Sequence, residues 1–434
     1  MSTAVAPLLK SGNRRALAIA LVTFLILIAS AAFRSSYGVM IVPLETEFGW
    51  DRAVTSIAVA VNLVFYGITA PFAAALMERF GIKRIAVAAM LLMALGTGLT
   101  TVMTQSWQLS ILWGVLVGLG NGATALVFGA LITSRWFVTQ RGLVLGVLGT
   151  AWATGQLAFM PLLTNLVETS GWRYASWLFA AMSLAIIPLI VFVFAERPSA
   201  LGMRPFGAPA DYVDPPAPKQ AASALGTLAF ASKTLPFWIL AGTFFICGWT
   251  TNGIISTHFI PAAHDHAMPA TVAAGLLAIV GLADIIGTLG SGWLSDRVDP
   301  RILLVVYYGL RGLAFLALPT MLGPEINPPL IVVMVFFGLD WVATVPPTVI
   351  LCQRIYGPEL GSVVFGWVFA AHMIGAAASS AITGVMRSMT GDYSIAWFLA
   401  GALALAAAAV VMLLPGSTST KRSLSPSQQT EQVT

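Results

Sequence analysis

Several ionisable side chains lie inside, or at the edges of, long apolar runs of this 434-residue sequence. If hydrocarbon surrounds these runs, each charge costs about 2.5–3.5 kcal/mol, so those that remain usually serve a binding site, a proton pathway or an ion pair. An arginine can bind a carboxylate through two hydrogen bonds, and aspartate and histidine can exchange protons. The residues are Arg34, His258, Asp284, Arg311, Asp340 and His372.

The composition indicates what surrounds these residues. Hydrophobic residues make up 58% of the sequence and charged residues 9%, with a mean hydropathy of +0.87, whereas soluble domains carry about 25% charged residues. Runs of about 20 apolar residues, the length of a helix that crosses a bilayer, recur along the chain. We therefore predict an all-α membrane protein embedded in the lipid bilayer. Twelve transmembrane helices are expected, at 16–43, 53–77, 84–104, 107–134, 142–166, 173–195, 235–260, 270–294, 302–322, 328–352, 361–386 and 394–414.

Basic residues in the connecting segments predict the orientation. Most of the 22 Lys and Arg residues fall on the side of the N-terminus, while Arg52, Arg173 and Arg387 fall on the other side. Because cytoplasmic loops are enriched in Lys and Arg, both termini of this multi-pass protein are predicted to be cytoplasmic. The expected location is the cell membrane, which is the inner membrane in a Gram-negative source. The scattering of the basic residues does not favour nucleic-acid binding.

One long loop divides the chain, and its prolines favour an extended, non-helical backbone. Glycine, arginine and tryptophan positions recur at nearly constant offsets on either side of it, which indicates an internal repeat. The expected organisation is a cytoplasmic segment (1–13), a six-helix half (14–195), a cytoplasmic Pro-rich linker (196–234), a second six-helix half (235–414) and a disordered cytoplasmic tail (415–434).

A charged segment stands between the second and third predicted helix of each half, at 74–84 and 292–301. Both resemble the loop signature Gly-x-x-x-Asp-Arg-x-Gly-x-Arg-Arg of the major facilitator superfamily, although the first has Ala74 for the glycine and Glu78 for the aspartate. The resemblance implies a transporter built from two pseudo-symmetric six-helix halves, in which these loops act as conformational switches. The residues expected in the two loops are Glu78, Arg79, Arg84, Gly292, Asp296, Arg297 and Arg301.

Other segments resemble one branch of that superfamily. Residues 136–146, Trp-Phe-Val-Thr-Gln-Arg-Gly-Leu-Val-Leu-Gly, are similar to the fifth-helix signature of monocarboxylate transporters, and 48–52 and 196–202 look like its bacterial relatives. Asp284 aligns with an aspartate that those transporters carry in the eighth helix, but their arginine four residues later is here Thr288. The resemblance implies proton-coupled symport of a small organic anion of the monocarboxylate type, by a monomer.

In the superfamily the first, fourth, seventh and tenth helices line the central cavity, and the resemblance carries this placement over. Arg34 is the expected anion anchor, and the alternative is an extracellular gate in which it pairs with Glu45. Asp340 and His372 are candidates for binding or proton coupling, and each also has a structural interpretation, Asp340 beside two prolines and His372 as a packing residue. The expected substrate-binding residues are Arg34, Asn121, Asn252, Asp340 and His372.

Proton coupling is expected through Asp340, His372 or Asp284, since these side chains can gain and lose a proton. Counted from the 292–301 segment, Asp284 and Arg311 lie at similar depths on consecutive antiparallel helices. The two are therefore expected to form a buried ion pair, or an alternative site.

Further motifs narrow the class of protein. His258, His264, Asp265 and His266 cluster near the end of the seventh helix, where a turn or gate is favoured over a metal site. No nucleotide-binding Gly-x4-Gly-Lys-Ser/Thr motif and no catalytic set of side chains is present, so neither an enzyme nor a cofactor is expected. Two alternatives stay open. One is the export of hydrophobic or cationic compounds with Asp340 as counter-charge, although 155–161 lacks the Gly-Pro pair of drug exporters; the other is a non-transporting membrane sensor.

Overall fold

A computed structural model of the protein describes residues 10–140, 144, 147–151, 155, 159–209, 211–212, 224–295 and 297–415. In this part of the chain, ten helices are long and apolar enough to cross a bilayer, and a bent pair, Ala224–Ala231 with Leu235–Gly253, brings the number to eleven. These match the predicted spans except the fifth, whose range 142–166 lies partly outside the described residues. The predicted segments 1–13, 196–234 and 415–434 also fall partly outside them.

The N-terminal half begins with strand β1 (Lys10–Ser11), which pairs in parallel with β2 (Met203–Arg204) beyond the sixth span. A π-helical segment, Ser110–Val117, lies within the fourth span, and a 3₁₀ turn, Ser199–Leu201, precedes β2. The α-helices of this half are α1 (Asn13–Ser35), α2 (Tyr37–Phe48), α3 (Arg52–Phe80), α4 (Ile82–Thr100), α5 (Ser106–Leu109), α6 (Gly118–Ala123), α7 (Leu126–Trp136), α8 (Met160–Ser170) and α9 (Trp172–Val193).

The C-terminal half has a second π-helical segment, Trp249–Gly253, in the seventh span and a 3₁₀ turn, Leu318–Thr320, after the ninth. The helix that precedes the seventh span, Ala224–Ala231, lies in the linker that was expected to be non-helical. That expectation is wrong there because residues 224–231, Ala-Leu-Gly-Thr-Leu-Ala-Phe-Ala, contain strong helix formers and no proline. The helices are α10 (Ala224–Ala231), α11 (Leu235–Gly248), α12 (Ile255–Asp265), α13 (Ala270–Ser295), α14 (Pro300–Ala317), α15 (Pro328–Asp340), α16 (Val345–Tyr356), α17 (Pro358–Thr390) and α18 (Ser394–Val411).

The turns between the spans form two faces of the bundle. The terminal face carries β1, β2, the turn at Gly81 and the end of α18, where Arg301 Nη1 donates to the carbonyl of Leu414 at 3.0 Å. The distal face carries the turns at Gly49, Gly171 and Gly391.

The two halves meet along α3 and α17. Near the distal face Ser380 Oγ donates to the carbonyl of Ser56 at 3.2 Å, and a Cβ added at Gly384 would lie 2.5 Å from the Cβ of Ser56. Glycine therefore permits the close approach of these helices. Farther towards the terminal face, the rings of Phe72 and Trp367 lie 5.9 Å apart. Helix α2 also packs on α12, and α8 on α13.

The tenth span is broken between α15 and α16, and side chains of α13 satisfy the broken backbone. Pro347 has no N–H to donate to the carbonyl of Ala343, and Ser291 Oγ donates to that carbonyl instead, at 2.5 Å. The N–H of Val342 donates to Asp284 Oδ1 at 3.1 Å. A backbone break inside a membrane span requires such partners, because no water is there to replace them.

Candidate functional site

Arg34 lies in the last turn of α1 and is half-buried. Its guanidinium carbon Cζ is 4.7 Å from the centroid of the Tyr66 ring in α3, within the range of a cation–π interaction. Tyr66 is buried, with 4% of its surface exposed. The packed ring therefore gives the guanidinium a fixed apolar support on one side.

Aromatic rings connect Arg34 to the C-terminal half. The Tyr66 ring lies 6.2 Å from the ring of Phe369 in α17, and Phe369 stacks on His372 at 5.7 Å with an interplanar angle of 7°. His372 Nε2 is 3.1 Å from Nδ2 of Asn252, which belongs to the second π-helical segment. We call Arg34, Tyr66, Phe369, His372 and Asn252 the central layer. It brings together three of the predicted substrate-binding residues.

Two members of the central layer, Tyr66 and Phe369, were missed by the sequence prediction. An uncharged aromatic residue in an apolar span looks like a packing residue, so neither carries a strong signal by itself. Phe365, Phe369 and His372 do occupy positions i, i+4 and i+7 of α17, and the Phe365 and Phe369 rings lie 6.5 Å apart. The signal that the sequence offered for Phe369 was therefore a row of ring-bearing side chains on one face of this helix.

Asn121, the fourth-span candidate, is buried in α6 and belongs to a polar network of the N-terminal half. Ser30 Oγ donates to Asn121 Oδ1 at 2.9 Å. In the same half the Tyr37 hydroxyl donates to Asn62 Oδ1 at 2.5 Å, and Asn62 Nδ2 donates to the carbonyl of Trp113 at 2.6 Å. These bonds connect the helices of the first, second and fourth spans, and a substrate contact by Asn121 stays a prediction.

Arg311 and Asp340 form a buried ion pair between α14 and the end of α15. Arg311 Nε donates to Asp340 Oδ2 at 2.5 Å and Nη2 donates to the backbone carbonyl of Asp340 at 2.7 Å. The two side chains are 1% and 3% exposed. Arg311 Nη1 also lies 3.3 Å from Cys247 Sγ and 3.2 Å from Thr250 Oγ1. A buried guanidinium needs several acceptors of this kind to offset its loss of hydration.

The predicted pair between Asp284 and Arg311 is therefore wrong. Asp284 Oδ1 accepts hydrogen bonds from Thr288 Oγ1 at 2.8 Å and from the N–H of Val342 at 3.1 Å. Depth along two helices fixes height but not the side of each helix that a residue faces, and the partner, Asp340, comes from a third helix. Thr288, which stands where the monocarboxylate-transporter pattern has an arginine, binds the aspartate itself.

A set of charged side chains joins the two halves at the distal face. Arg52, at the start of α3, pairs with Glu45 through Nε and through Nη2, the latter 2.8 Å from Glu45 Oε2. Its Nη1 donates to the hydroxyl of Tyr393, beyond α17, and lies 4.0 Å from Asp265 Oδ2. Arg387 Nε donates to the same Asp265 oxygen at 2.7 Å. Arg52 thereby connects the first, second and seventh spans with the turn between the eleventh and twelfth.

The contacts of this distal set concern two residues for which the sequence left alternatives open, Glu45 and His258. Glu45, the partner that the gate alternative assigned to Arg34, is paired with Arg52. His258 is buried, with Nε2 at 2.9 Å from the carbonyl of Ser380 and Nδ1 at 3.4 Å from the hydroxyl of Tyr393. Among the described residues, no group of three or more His, Cys, Asp or Glu side chains could hold a metal ion.

The first predicted switch loop lies at the terminal face. Arg79 lies in the last turn of α3 with its guanidinium 5.2 Å from the ring centroid of Phe80, and Arg84 lies in the first turn of α4. Both arginines are exposed. The backbone of Glu78 belongs to α3, but its side chain lies outside the described residues.

The second predicted switch loop contains a half-buried ion pair. Gly292 belongs to the end of α13 and Arg297 to the turn that follows, while Asp296 lies outside the described residues. Arg301 Nη2 donates to Asp299 Oδ2 at 2.7 Å, and Asp299 also accepts from the backbone N–H of Arg301 at 3.0 Å. The Arg301 hydrogen bonds hold the pKa of the Asp299 carboxyl below its ordinary value.

A family model, described as Major Facilitator Superfamily, matches residues 19–380. The chain belongs to this superfamily. A curated relative, the uncharacterized MFS-type transporter YcxA of Bacillus subtilis (strain 168), is 26% identical over 378 residues, which cover 86% of this chain and 88% of YcxA. Monocarboxylate transporter 13 of Rattus norvegicus is 25% identical, covering 88% and 84% of the two chains. Monocarboxylate transporter 11 of Mus musculus is 28% identical, covering 88% and 83%.

Solved structures have the same fold. A D-xylose-proton symporter superimposes with a TM-score of 0.71 at 15% identity, covering 93% of this chain and 99% of its own. A nucleoside transporter superimposes with a TM-score of 0.72 at 13% identity, covering 92% and 99%. Together with the family match, these likenesses confirm the predicted twelve-helix architecture in two halves. The protein is a membrane transporter of this superfamily and not an enzyme.

Proposed function

We propose that this transporter carries a small organic anion of the monocarboxylate type together with a proton, by alternating access of its two halves. The observation that carries the proposal is the place of Arg34 in the central layer. Arg34 comes from the N-terminal half and meets the His372–Asn252 pair of the C-terminal half through two aromatic rings. A ligand at this level would contact both halves, as alternating access requires. The likeness to monocarboxylate transporters adds support.

The chemistry of the central layer suits a carboxylate with a short apolar body. Arginine presents a planar fork that matches the two oxygens of a carboxylate. The rings of Tyr66 and Phe369 offer apolar surface beside that fork, and the Asn252 amide offers a hydrogen bond from the opposite half. Specific binding sites usually combine such apolar walls with a few fixed polar groups.

For the proton, the proposal assigns the main role to Asp340. Protonation of this carboxyl would remove the counter-charge of Arg311, whose Nη1 also contacts Cys247 and Thr250. Thr250 and Asn252 belong to the same π-helical segment, so a shift of the guanidinium has a direct path to the central layer. His372 is the second candidate. Asp284 is the third, because its carboxylate already holds the backbone of Val342.

Alternating access would open the distal face by breaking the Arg52 contacts with Tyr393 and Asp265, which cross between the halves. The Glu45–Arg52 pair lies within one half and can move with it. The prediction that the terminal face is cytoplasmic is part of this proposal.

The alternative of exporting cations with Asp340 as counter-charge is less well supported. Asp340 already faces the guanidinium of Arg311 at 2.5 Å, so the pair carries no net negative charge for a cationic ligand. No comparable observation favours a sensor without transport activity.

Uptake by purified protein in proteoliposomes tests the proposal. A panel of radiolabelled short carboxylates, amines and neutral metabolites is offered with and without an inwardly directed proton gradient. We expect uptake of one or more carboxylates, accelerated by the gradient. Arg34→Ala is expected to slow this uptake about 10- to 100-fold, because a hydrogen bond to a charged group contributes about 1.5–3 kcal/mol, and Arg34→Lys should retain part of it.

The matched control is Arg354→Ala, at an exposed arginine in the last turn of α16. It should leave uptake unchanged. Transport of amines alone, or carboxylate uptake that is insensitive to Arg34→Ala, would reject Arg34 as the anion anchor. Carboxylate uptake that ignores the proton gradient would reject proton coupling while leaving the anion site in place.

A further inference from the structure

Two adjoining cavities at the terminal face of the N-terminal half share the side chain of Arg84. The first has a volume of about 420 Å³ and lies among the ends of α3, α4, α7 and the segment after α9. Its charged lining among the described side chains consists of Arg79, Arg84, Arg135, Arg197 and Glu196. Neither cavity takes part in the proposed transport site.

The acidic member of this lining is already engaged. Glu196 Oε2 accepts a hydrogen bond from the N–H of Ile82 at 2.8 Å, and Oε1 accepts from that of Lys83 at 3.3 Å. Gly81, at φ +93°, makes room for the carboxylate, since an added Cβ would lie 2.5 Å from Glu196 Oε1. Arg135 Nη1 lies 3.8 Å from the same carboxylate. The Glu196 carboxylate thus holds the start of α4.

Among the described side chains that line this cavity, four arginines face one glutamate, so positive charge prevails there. Arg84 is exposed and Arg197 is half-buried, and neither has an acidic partner within 4 Å among the described side chains. Guanidinium groups bind phosphate oxygens through paired hydrogen bonds. The first cavity has the chemistry of a phosphate site.

The second cavity shows which phosphate compound fits. It has a volume of about 520 Å³ and runs from Lys83 and Arg84 along Val87, Ala88 and Leu91. Positions 84, 87, 88 and 91 share one face of α4, a helix long and apolar enough to cross the bilayer. Leu91 is 41% exposed. A basic pocket that continues into an apolar groove on a membrane-facing helix suits a molecule with an anionic head and an acyl chain.

We propose that this pair of cavities binds an anionic phospholipid, with its phosphate among Arg79, Arg84, Arg135 and Arg197 and one acyl chain along α4. Basic pockets between membrane helices bind anionic head groups in this way. The bound lipid joins the ends of the second, third, fourth and sixth spans, and so stabilises the N-terminal half as one unit.

Thermal unfolding of the purified full-length protein in detergent tests this site. The protein is titrated with dioleoylphosphatidylglycerol, with dioleoylphosphatidylcholine, and with glycerol 3-phosphate as a soluble phosphate without acyl chains. We expect a saturable rise of the melting temperature with phosphatidylglycerol and little change with the other two. Arg84→Gln and Arg197→Gln should each raise the half-saturating lipid concentration about fivefold, the weight of one basic residue at a membrane surface.

Two further variants separate the groove from general lipid binding. Ala88→Trp fills the groove and should weaken the phosphatidylglycerol effect, whereas Ala406→Trp, at an exposed alanine of α18, should not. Arg14→Gln removes an exposed arginine elsewhere on the same face and is expected to keep the wild-type response.

Three results would overturn the proposal. An equal response to phosphatidylcholine would mean that charge plays no part, and an equal response to glycerol 3-phosphate would mean that the site takes free phosphate. A loss in Arg14→Gln as large as that in Arg84→Gln would mean that the lipid acts through the overall charge of the face.

Discussion

Arg34 and Arg311 are both arginines in apolar spans, but their surroundings differ. Arg311 is 1% exposed and donates to a carboxylate, a backbone carbonyl, a thiol and a hydroxyl. Arg34 is half-buried and rests against the ring of Tyr66 at the contact between the halves. Arg311 therefore holds helices of its own half together, whereas Arg34 lies at the junction of the halves, where we propose that it meets the ligand.

The helix break in the tenth span explains why Arg311 needs so many partners. Its Nη2 donates to the carbonyl of Asp340, the last residue of α15, while its Nε binds the side chain of the same residue. Arg311 thus binds the backbone at the end of the broken helix as well as the charged side chain of Asp340. Asp284 and Ser291 bind the backbone of Val342 and of Ala343 in the same break.

The largest expected effect follows from breaking the buried pair. Arg311→Met or Asp340→Leu leaves one buried charge without its partner, which costs about 3–5 kcal/mol of unfolding free energy. The double variant Arg311→Met with Asp340→Leu removes both charges and should recover most of that loss. Chemical unfolding in detergent, followed by tryptophan fluorescence, measures the three values.

The control for that cycle is Arg297→Met, an exposed arginine of the terminal face, which should change stability by no more than about 0.5 kcal/mol. If the double variant is no more stable than either single variant, the pair is not the unit that holds α14 to α15. The contrast with Arg34 would then lose its basis.

A smaller effect is expected at the ring that supports Arg34. Tyr66→Leu removes the aromatic face and should weaken the binding of the best transported carboxylate about fivefold, because such cation–π contacts contribute about 0.5–2 kcal/mol. Tyr66→Phe keeps the ring and should bind as the wild type does. Ligand-induced shifts in melting temperature give the affinities.

Tyr174→Leu, at a tyrosine of α9 that is 63% exposed, controls for the loss of a ring elsewhere. Equal weakening in Tyr66→Leu and Tyr66→Phe would assign the effect to the hydroxyl group rather than to the ring. The aromatic ring would then not be the feature that distinguishes the surroundings of Arg34 from those of Arg311.

Hydropathy was sufficient to predict most of the helices, because a bilayer imposes one length on every span. The eighth span, predicted at 270–294, is the helix Ala270–Ser295, and the second, predicted at 53–77, is Arg52–Phe80. The two prolines after Asp340 indicated freed backbone carbonyls in the tenth span, but not the partners on α13 that satisfy the broken backbone. The π-helical segment Trp249–Gly253 was not predicted.

The charged side chains of the candidate site were singled out from the sequence, but their pairings were not. Intramembrane charge is rare enough that Arg34, Asp340 and Arg311 stood out from the sequence alone. Which of them pair depends on the rotation and tilt of each helix, so the partner of Arg311 was wrongly assigned to Asp284. Arg52 was missed as the link at the distal face because it lies at a span end, where a charge carries no special signal.

The smallest effect is expected at an arginine–carboxylate pair of the terminal face, which can be compared with the buried pair of Arg311 and Asp340. Arg301 and Asp299 are 19% and 21% exposed, and their hydrogen bonds lower the pKa of Asp299. Because the folded-state pKa is the lower one, the pair stabilises the protein fully above the unfolded-state pKa of about 3.9, and this contribution disappears as the pH falls through the folded-state value.

Asp299→Asn keeps the helix cap and removes the charge, so it should be less stable than the wild type at pH 7 by up to about 1 kcal/mol. The difference should shrink as the pH falls below about 3.9 and vanish once the folded-state carboxyl is also protonated. Asp392→Asn is the matched control, because Asp392 likewise accepts from the backbone N–H two residues later, of Ser394, at 2.8 Å, and among the described residues it has no ion pair. Thermal unfolding across this pH range gives both comparisons. A difference between wild type and Asp299→Asn that is the same at pH 3 and pH 7 would mean that the cap, rather than the charge, holds this loop.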